Sequence, residues 1–352
     1  MKILIVGGGI AGTSLAHNLN DRGIDFRVVE NTRNQSSLMA AGILNPLVFR
    51  RMNLSWRAAE FMPFSGDFYQ RMEKLLELQF FIRKPIRRFF ASEQEAGYWL
   101  QKQEENVYSD YMKIQDERDK NYDSPQNTFG TGLVLNSAMV DTAAYIPAQW
   151  QWLKDQGKLI EETFDYSAFN PETAAYKGES YDFVVFAQGK DARNNPWFGN
   201  LPLQATKGEL LTISLPALSQ EESLNRKCFL FPLGDSKFRI GSTYGWDQDN
   251  VETTEAGKLA ILENLKSLTD EIPEIIDQQA GVRPTTPDRR PFLGKHAEFP
   301  KLAVANGLGT KGYMTAPLLM KELADHLIDG AELHHEVSII RFDKNVTNIF
   351  TQ

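Results

Sequence analysis

Ile3-Leu4-Ile5-Val6-Gly7-Gly8-Gly9-Ile10-Ala11-Gly12 is the stretch on which the reading of this 352-residue chain turns. Ile3 to Val6 is a short, wholly apolar run, the pattern of a parallel strand buried on both faces. It passes straight into G-x-G-x-x-G at Gly7, Gly9 and Gly12. Ala11, Leu15 and Leu19 then recur every fourth residue, which predicts an amphipathic helix ending near Arg22-Gly23. Phe26 to Val29 predicts a second strand, closed by Glu30, 18 positions beyond Gly12. Strand, glycines, helix, strand and acid in this order are the setting in which the motif holds a dinucleotide. Gly7 permits the tight turn, Gly9 lets a pyrophosphate approach the backbone, and Gly12 lets helix pack on strand. Free N–H groups at the helix start, around Ile10 and Ala11, attract the anion together with the helix dipole. Glu30, with Asn31 next to it, is placed to accept hydrogen bonds from ribose hydroxyls. This unit alone leaves NAD and FAD both open.

The length predicts about two domains. Hydrophobic residues make up 42% and charged residues 24%, ordinary soluble usage. With 38 basic and 46 acidic residues the net charge is −8, which argues against nucleic acid or an anionic membrane as the main partner. A single cysteine, Cys228, excludes an internal disulfide and a multi-cysteine zinc site. The apolar start is broken by the glycine triplet and followed by His17, Asn18, Asn20 and Asp21, unlike a secretion signal. No window approaches the roughly 20 apolar residues that span a bilayer. The expectation is a cytoplasmic protein without a membrane span. The polar stretch from Gln101 to Gln126 predicts exposed helix and loop, with Tyr108, Tyr111 and Met112 recurring inside it.

Three later segments choose between the cofactors. The first is Tyr181-Asp182-Phe183-Val184-Val185-Phe186-Ala187-Gln188-Gly189, a strand ending at Ala187 and Gly189. The second runs from Gly281-Val282-Arg283-Pro284 through Thr286-Pro287-Asp288 to Pro291-Phe292-Leu293-Gly294. The third is Ala305-Asn306-Gly307-Leu308-Gly309-Thr310-Lys311-Gly312-Tyr313, leading into a helix. In this order, after the N-terminal unit, they resemble the D-amino-acid oxidase-like flavoprotein superfamily. Glycine oxidase, sarcosine oxidase and the FAD domain of the bifunctional tRNA wobble-uridine enzyme are the nearer look-alikes. The G-V-R-P-x-T-P-D segment paired with G-x-G-x-K-G is the specific part. Residues 55–130 and 215–228 match poorly.

The resemblance implies an α/β fold: a Rossmann-like FAD-binding domain from residues 1–45, 130–205 and 280–352, plus an antiparallel-sheet (α+β) substrate or cap domain from 46–129 and 206–279. The residues support a second sheet independently, because Phe229–Pro232 and Phe238–Thr243 read as strands around a Gly234-Asp235 turn. Leu259, Leu262, Leu265 and Leu268 read as a helical core stripe. Leu318, Leu319, Leu323, Leu327 and Ile328 predict a helix starting near Thr315. Gly307, Gly309 and Gly312 keep the turn before it bare, so a flat ring can lie on backbone N–H groups beside Thr310, Lys311 and Tyr313. That helix start favours negative charge on a reduced flavin. Ala40, Ala41, Gly42 and Ile43 resemble the small-residue segment that passes the flavin in relatives; a tight packed turn is the other reading. Thr163-Phe164 matches loosely where relatives touch the adenine. Gly281 stands where sarcosine oxidases attach FAD through cysteine, so non-covalent FAD is expected.

The implied chemistry is hydride transfer from an amine-bearing carbon of a small amino acid or secondary amine to flavin N5, giving an imine that water hydrolyses. Oxygen and a quinone-like carrier are both open as electron acceptor. Pro284 keeps Arg283 extended, and its guanidinium suits a substrate carboxylate; a structural pair with Asp288 is the alternative. Lys311 either meets substrate or ring, or faces solvent. Arg239 stands where sarcosine oxidases carry an oxygen-activating lysine, although the outward-facing reading is preferred. Tyr244 either contacts substrate or packs. Phe229 replaces the substrate-touching tyrosine of glycine oxidases, and Thr310 falls at one alignment of their second arginine, which argues against glycine or sarcosine itself. His334-His335 reads as a solvated pair and no metal is expected. Three alternatives stay open: a glycine-like group on tRNA, a 2-hydroxy acid, and flavin binding without turnover.

Overall fold

In the computed structural model, residues 1–32, 35–124, 126–246 and 250–342 are described. The end of the 280–352 stretch, from 343 onward, thus lies outside the described residues. The first half supplies β1 (Lys2–Val6), α1 (Ile10–Asp21), β2 (Asp25–Glu30), α2 (Ala58–Leu76), β3 (Ile86–Phe89), β4 (Thr131–Val134), α3 (Thr142–Asp155) and β5 (Leu159–Glu161). The second half adds β6 (Phe183–Phe186), β7 (Gln204–Ser214), β8 (Ser223–Asn225), β9 (Phe229–Gly234), β10 (Lys237–Gly241) and β11 (Gly245–Trp246). It closes with α4 (Glu255–Leu265), β12 (Glu274–Thr285), β13 (Phe292–Lys295), β14 (Leu302–Asn306) and α5 (Gly312–Asp329).

One sheet has six strands in the order β5-β2-β1-β6-β14-β13. All its pairings are parallel except that of β13 with β14. Its apolar strands are double-sided, as their sequences require. Ile3, Ile5, Val28, Val185 and Ala303 face a core shared with α1, α2 and α5. Leu4, Val6, Val184, Phe186 and Val304 face a second core with Phe164, Tyr176 and Phe198. The Ile, Leu, Val and Phe side chains each contribute roughly 1.5–3 kcal/mol of burial.

The second sheet runs β11-β7-β10-β9-β8-β3-β4, with β12 pairing along β7. Period-2 alternation gives it two unlike faces. Leu211, Ile213, Leu230, Phe238 and Ile240 pack on Ile261 and Leu265 of α4. Arg88, Asn225, Phe229, Phe231, Arg239 and Leu210 line a cavity on the other face. Thr131–Val134 and Glu274–Thr285 belong to this sheet, so it draws strands from beyond the two stretches 46–129 and 206–279.

Several local expectations shift for identifiable reasons. The predicted turn lies at Asp235-Ser236, both with positive φ (49° and 61°), as a tight antiparallel hairpin demands. Leu259 is 57% exposed, and the buried stripe is Ile261, Leu265 and Leu268. Within the polar stretch Tyr108, Tyr111 and Met112 are buried, and Asp119 is paired with the buried Arg87. Helix α5 begins at Gly312 rather than Thr315. Pro317 sits within it and lacks the N–H that would bond the Tyr313 carbonyl. The Tyr69 hydroxyl donates to that carbonyl instead, at 2.7 Å.

Behind α1 the fold encloses an ionisable group. His17 is 1% exposed, stacks on Trp152 at 4.1 Å, and lies 2.5 Å from Gln149 Oε1. Burial lowers its pKa from 6.5 to about 4. The unfolded chain therefore takes up the proton first as pH falls, so His17 contributes stability that is present above pH 6.5 and lost towards pH 4. Unfolding free energies from urea titrations between pH 7 and 4 should fall by about 3 kcal/mol more in the native sequence than in His17→Gln; an equal pH dependence in the two proteins would refute the assignment.

Candidate active site

The early glycines are held by packing. Gly7 has φ 110°, and a Cβ there would lie 2.4 Å from the Ala187 oxygen. A Cβ on Gly12 would lie 1.8 Å from the Gly7 oxygen, so the turn and α1 leave no room for any side chain. Gly9 caps α1 and lines the cavity with Ile10 and Ala11. The Ile10 N–H donates to Ser37 Oγ at 3.0 Å. Glu30 is buried and accepts from the N–H groups of Gly8 (2.5 Å) and Thr32 (3.0 Å). Burial pushes its carboxyl pKa up, and these hydrogen bonds pull it back.

The cavity measures about 1180 Å³ and is lined from both ends of the chain. Gly9 to Ala11 line it together with Gly307, Gly309, Thr310, Lys311, Gly312 and Tyr313, and Ala41, Gly42, Ile43, Ala187 and Gly189 contribute as well. Gly307 adopts φ 73°, and a Cβ there would lie 2.5 Å from Thr286 Cγ2. Gly42 serves both readings: it lines the cavity, and a Cβ on it would lie 2.0 Å from the Val140 oxygen. Asn31 and Thr163 bond one another at 3.2 Å outside the lining. Phe164 is also outside it, stacked on Tyr176 at 4.5 Å because an apolar ring gains more in the second core. The cavity exceeds the roughly 300–1,000 Å³ of ordinary small-molecule sites. Two bare glycine turns, each running into a helix N-terminus on one cavity of this volume, fit an adenine–flavin dinucleotide together with a substrate.

The cations in the wall are the other feature. Arg283 extends from β12 over Gly208, where a Cβ would lie 2.1 Å from its Nη2. Its Nη2 donates to Ser242 Oγ at 2.5 Å, and its guanidinium sits 4.8 Å from the centre of the Tyr244 ring. Asp288 does not reach it; that carboxylate holds Arg341 at 2.9 Å. Among the described residues no carboxylate lies within 4.0 Å of Arg283, and burial lowers its pKa. Tyr244, 59% exposed, thus packs beneath Arg283 at the rim.

Lys311 does not face solvent. Its ammonium donates to the Asn45 carbonyl at 2.8 Å and to Ser55 Oγ, leaving one of three N–H bonds over. Burial lowers its pKa to about 8. Arg239 departs from the outward reading. It is 8% exposed and lines the cavity, because Phe238 and Ile240 on either side face α4. It reaches Thr142 Oγ1 at 3.4 Å, and burial lowers its pKa. Phe229 lines the cavity against Phe49, ring centres 5.9 Å apart. Cys228 is beside it, its thiol pushed up to about 12 by burial and thus unreactive.

Sequence reasoning missed Ser37, Ser55, Phe49, Arg50 and Arg88, all in the wall. All five lie between 36 and 95, where no motif marks them; the available signal was a pair of arginines, Arg87-Arg88, in an otherwise apolar strand. It also found no third ligand for His334-His335. Glu336 brings its carboxylate within 4.8 Å of both, although it already accepts from Trp56 (2.6 Å) and Arg290 (2.9 Å).

Comparison with known proteins follows this geometry. The glycine oxidase of Bacillus licheniformis is 24% identical over 92% of this chain and 92% of its own length. A tRNA 5-methylaminomethyl-2-thiouridine biosynthesis bifunctional protein from Idiomarina loihiensis is 23% identical over 92% of this chain, which spans only 55% of that relative. Among solved structures, glycine oxidase from Geobacillus kaustophilus superposes with TM-score 0.79 at 19% identity, covering 94% of this chain and 95% of that one. Iminodiacetate oxidase from Chelativorans gives 0.77 at 17%, covering 96% and 99%. No helix among the described residues is long and apolar enough to cross a membrane. The sequence model for the FAD dependent oxidoreductase family, DAO, matches residues 2–326, and the chain belongs to that family as an FAD-dependent oxidoreductase.

Proposed function

We propose that this enzyme oxidises the C–N bond of a small carboxylated amine, for which bound FAD would supply the hydride acceptor. The observation that carries the reading is Arg283, a guanidinium in the cavity wall with no carboxylate of its own among the described residues. Bound in the cavity, FAD supplies a two-electron acceptor; oxygen or another carrier then takes the electrons on. Gly9, Ile10 and Ala11 would hold its pyrophosphate, and the turn from Gly307 to Gly312 its ring. The dinucleotide-binding part would come from residues 1–45, 130–205 and 280–352, which contribute all six strands of the parallel-rich sheet.

This chain's own groups bind and orient. Arg283 grips the substrate carboxylate, with the Tyr244 ring supporting the guanidinium from one side. Lys311 presents a positive charge near the helix start. Among the described lining residues the one carboxylate is Glu95, engaged by Arg88 at 2.6 Å and the Ala91 N–H at 2.5 Å. No lining acid is thus free to act as a base, so the amine arrives neutral or yields its proton to water. The two electrons leave with the hydride, and water hydrolyses the resulting imine to a carbonyl and a free amine.

A second reading, a glycine-like amine carried on tRNA, is favoured by one observation: the cavity lining carries Arg50, Arg226, Lys227 and Arg289, of which Arg50, Lys227 and Arg289 are exposed, although the whole chain is acidic. Retardation of tRNA by the FAD-loaded protein at physiological salt would select it, and free migration would dismiss it.

Anaerobic addition of carboxylated amines, N-alkyl amines and 2-hydroxy acids should bleach the flavin with at least one amine; bleaching by a hydroxy acid alone, or by nothing, overturns the proposal. With that substrate, Arg283→Ala should raise KM by the equivalent of about 2–5 kcal/mol, whereas unchanged kinetics would return Arg283 to a structural role. Lys311 is an ammonium below its pKa of about 8 and neutral above it. Affinity for a non-oxidisable carboxylate such as acetate, read from the flavin spectrum, should therefore fall as pH rises through 8. The fall should vanish in Lys311→Met, and a pH-independent Kd in the native enzyme would exclude this role.

A further inference from the structure

We propose that the substrate carries a second anionic group, roughly 15 Å from the carboxylate held by Arg283, received by Arg226, Lys227 and Arg50 at the far end of the cavity. The inference rests on the amine-oxidation reading only for what sits at Arg283.

Charge is the first argument. The chain is −8 overall, yet nine arginines and lysines line the cavity against a single acid, Glu95. Arg88 is neutralised by Glu95 and Arg290 by Glu336. The other seven have no carboxylate within 4.0 Å among the described residues, in a molecule whose cations elsewhere are widely paired. Lys227 and Arg50 stay hydrated, so leaving them unpaired costs little, but like charges gathered on one cavity wall raise the local concentration of an anion that can reach them. A pyrophosphate and one carboxylate account for three negative charges and leave the far end uncompensated.

Geometry locates the surplus. Leu210, Gly241, Phe229 and Asn225 are register partners across β7, β10, β9 and β8. Three strand spacings separate the first from the last, about 14 Å. Arg283 lies over Gly208 at the near end of this row. Arg226 and Lys227 form the hairpin tip that follows Asn225 at the far end. A second tip, carrying Phe49 and Arg50, closes on it: the Phe49 ring meets Phe229, and Arg88 lies 5.0 Å over Phe49 while donating to the Arg226 carbonyl at 2.5 Å. Arg88 Nε is buried there without a partner. Between the two ends the wall carries Phe229 and Phe231, with Arg239 beside Phe231 on the neighbouring strand. The substrate class is thus an amino-acid-like amine extended by an apolar segment and ending in a carboxylate or phosphate.

The test uses FAD-loaded protein and three non-oxidisable probes matched to that span: an α,ω-dicarboxylate, the ω-phosphate of the same acid, and the ω-hydroxy monocarboxylate. Binding is read from the flavin spectrum and by calorimetry. The dianions should bind tenfold or more tighter than the monoanion at low salt, with the advantage shrinking as salt is added. Lys227→Ala should remove about fivefold of it, and Arg226→Ala/Lys227→Ala the remainder, with the monoanion unaffected. Lys227 is exposed and unpaired, so its variant keeps the test valid even if Arg226, which donates to the Gln126 carbonyl at 3.0 Å, proves necessary for folding. The tighter dianion identifies carboxylate or phosphate as the distal group. Equal affinities for all three probes, or variants that weaken all three alike, would overturn the subsite. If the discrimination survives while no amine bleaches the flavin, the oxidation reading falls and the subsite stands.

Discussion

The parallel pairing of β1, β6 and β14 is the constraint on which the arrangement of this molecule depends. Parallel neighbours deliver their carboxyl ends to the same edge of a sheet, and ligands of open α/β sheets collect there. β1 ends at Val6 and β14 at Asn306, one immediately before each glycine turn. Two strand spacings, about 10 Å, then separate turns that lie some three hundred residues apart in the chain. The helices that follow, α1 and α5, pack in one apolar core, so both N-termini address a common space. That both turns are glycine-rich is thereby explained: side chains at Gly7, Gly12 or Gly307 would strike backbone or Thr286 before any ligand entered.

The second sheet gives the cavity its opposite wall, and alternation gives that wall its chemistry. One face is apolar and covered by α4. The other presents arginines, a pair of phenylalanines and the bare Gly208 over which Arg283 passes. Overall charge is therefore a poor guide to this site. The acidic surplus lies outside the cavity, while the charged residues among the described lining are basic apart from Glu95, and an anionic occupant experiences the local field rather than the sum. The absence of a free acid among the described lining residues fits a reaction in which hydride transfer, rather than proton abstraction by a side chain, is the main step.

How much was legible in the residues differs from element to element. The first βαβ unit was readable to within one residue at each end, since an apolar run, glycines, a four-residue period and a second apolar run are all local signals. The start of α5 was read three residues late, because Gly312 and Pro317 both look like helix breakers. Only the Tyr69 hydroxyl, brought from far away in the chain, satisfies the carbonyl that Pro317 leaves free. Arg239 was read as facing outward because a charge in an apolar strand suits solvent; a basic cavity makes the inward position habitable.

The amino-acid sequence by itself determined that a dinucleotide-binding unit opens the chain, that a second glycine turn precedes a late helix, and that Arg283 and Lys311 stand within motifs resembling flavoproteins. These are consequences of spacing and of backbone freedom, which neighbouring residues encode. Only the tertiary structure decided which cations share one space, that Asp288 is taken by Arg341 and so leaves Arg283 unpaired, and that Phe49, Ser55 and Arg88 from an unmarked stretch complete the wall. Such facts depend on which strands become neighbours and on which partner reaches a charge first, and both are settled by contacts between residues remote from one another along the chain.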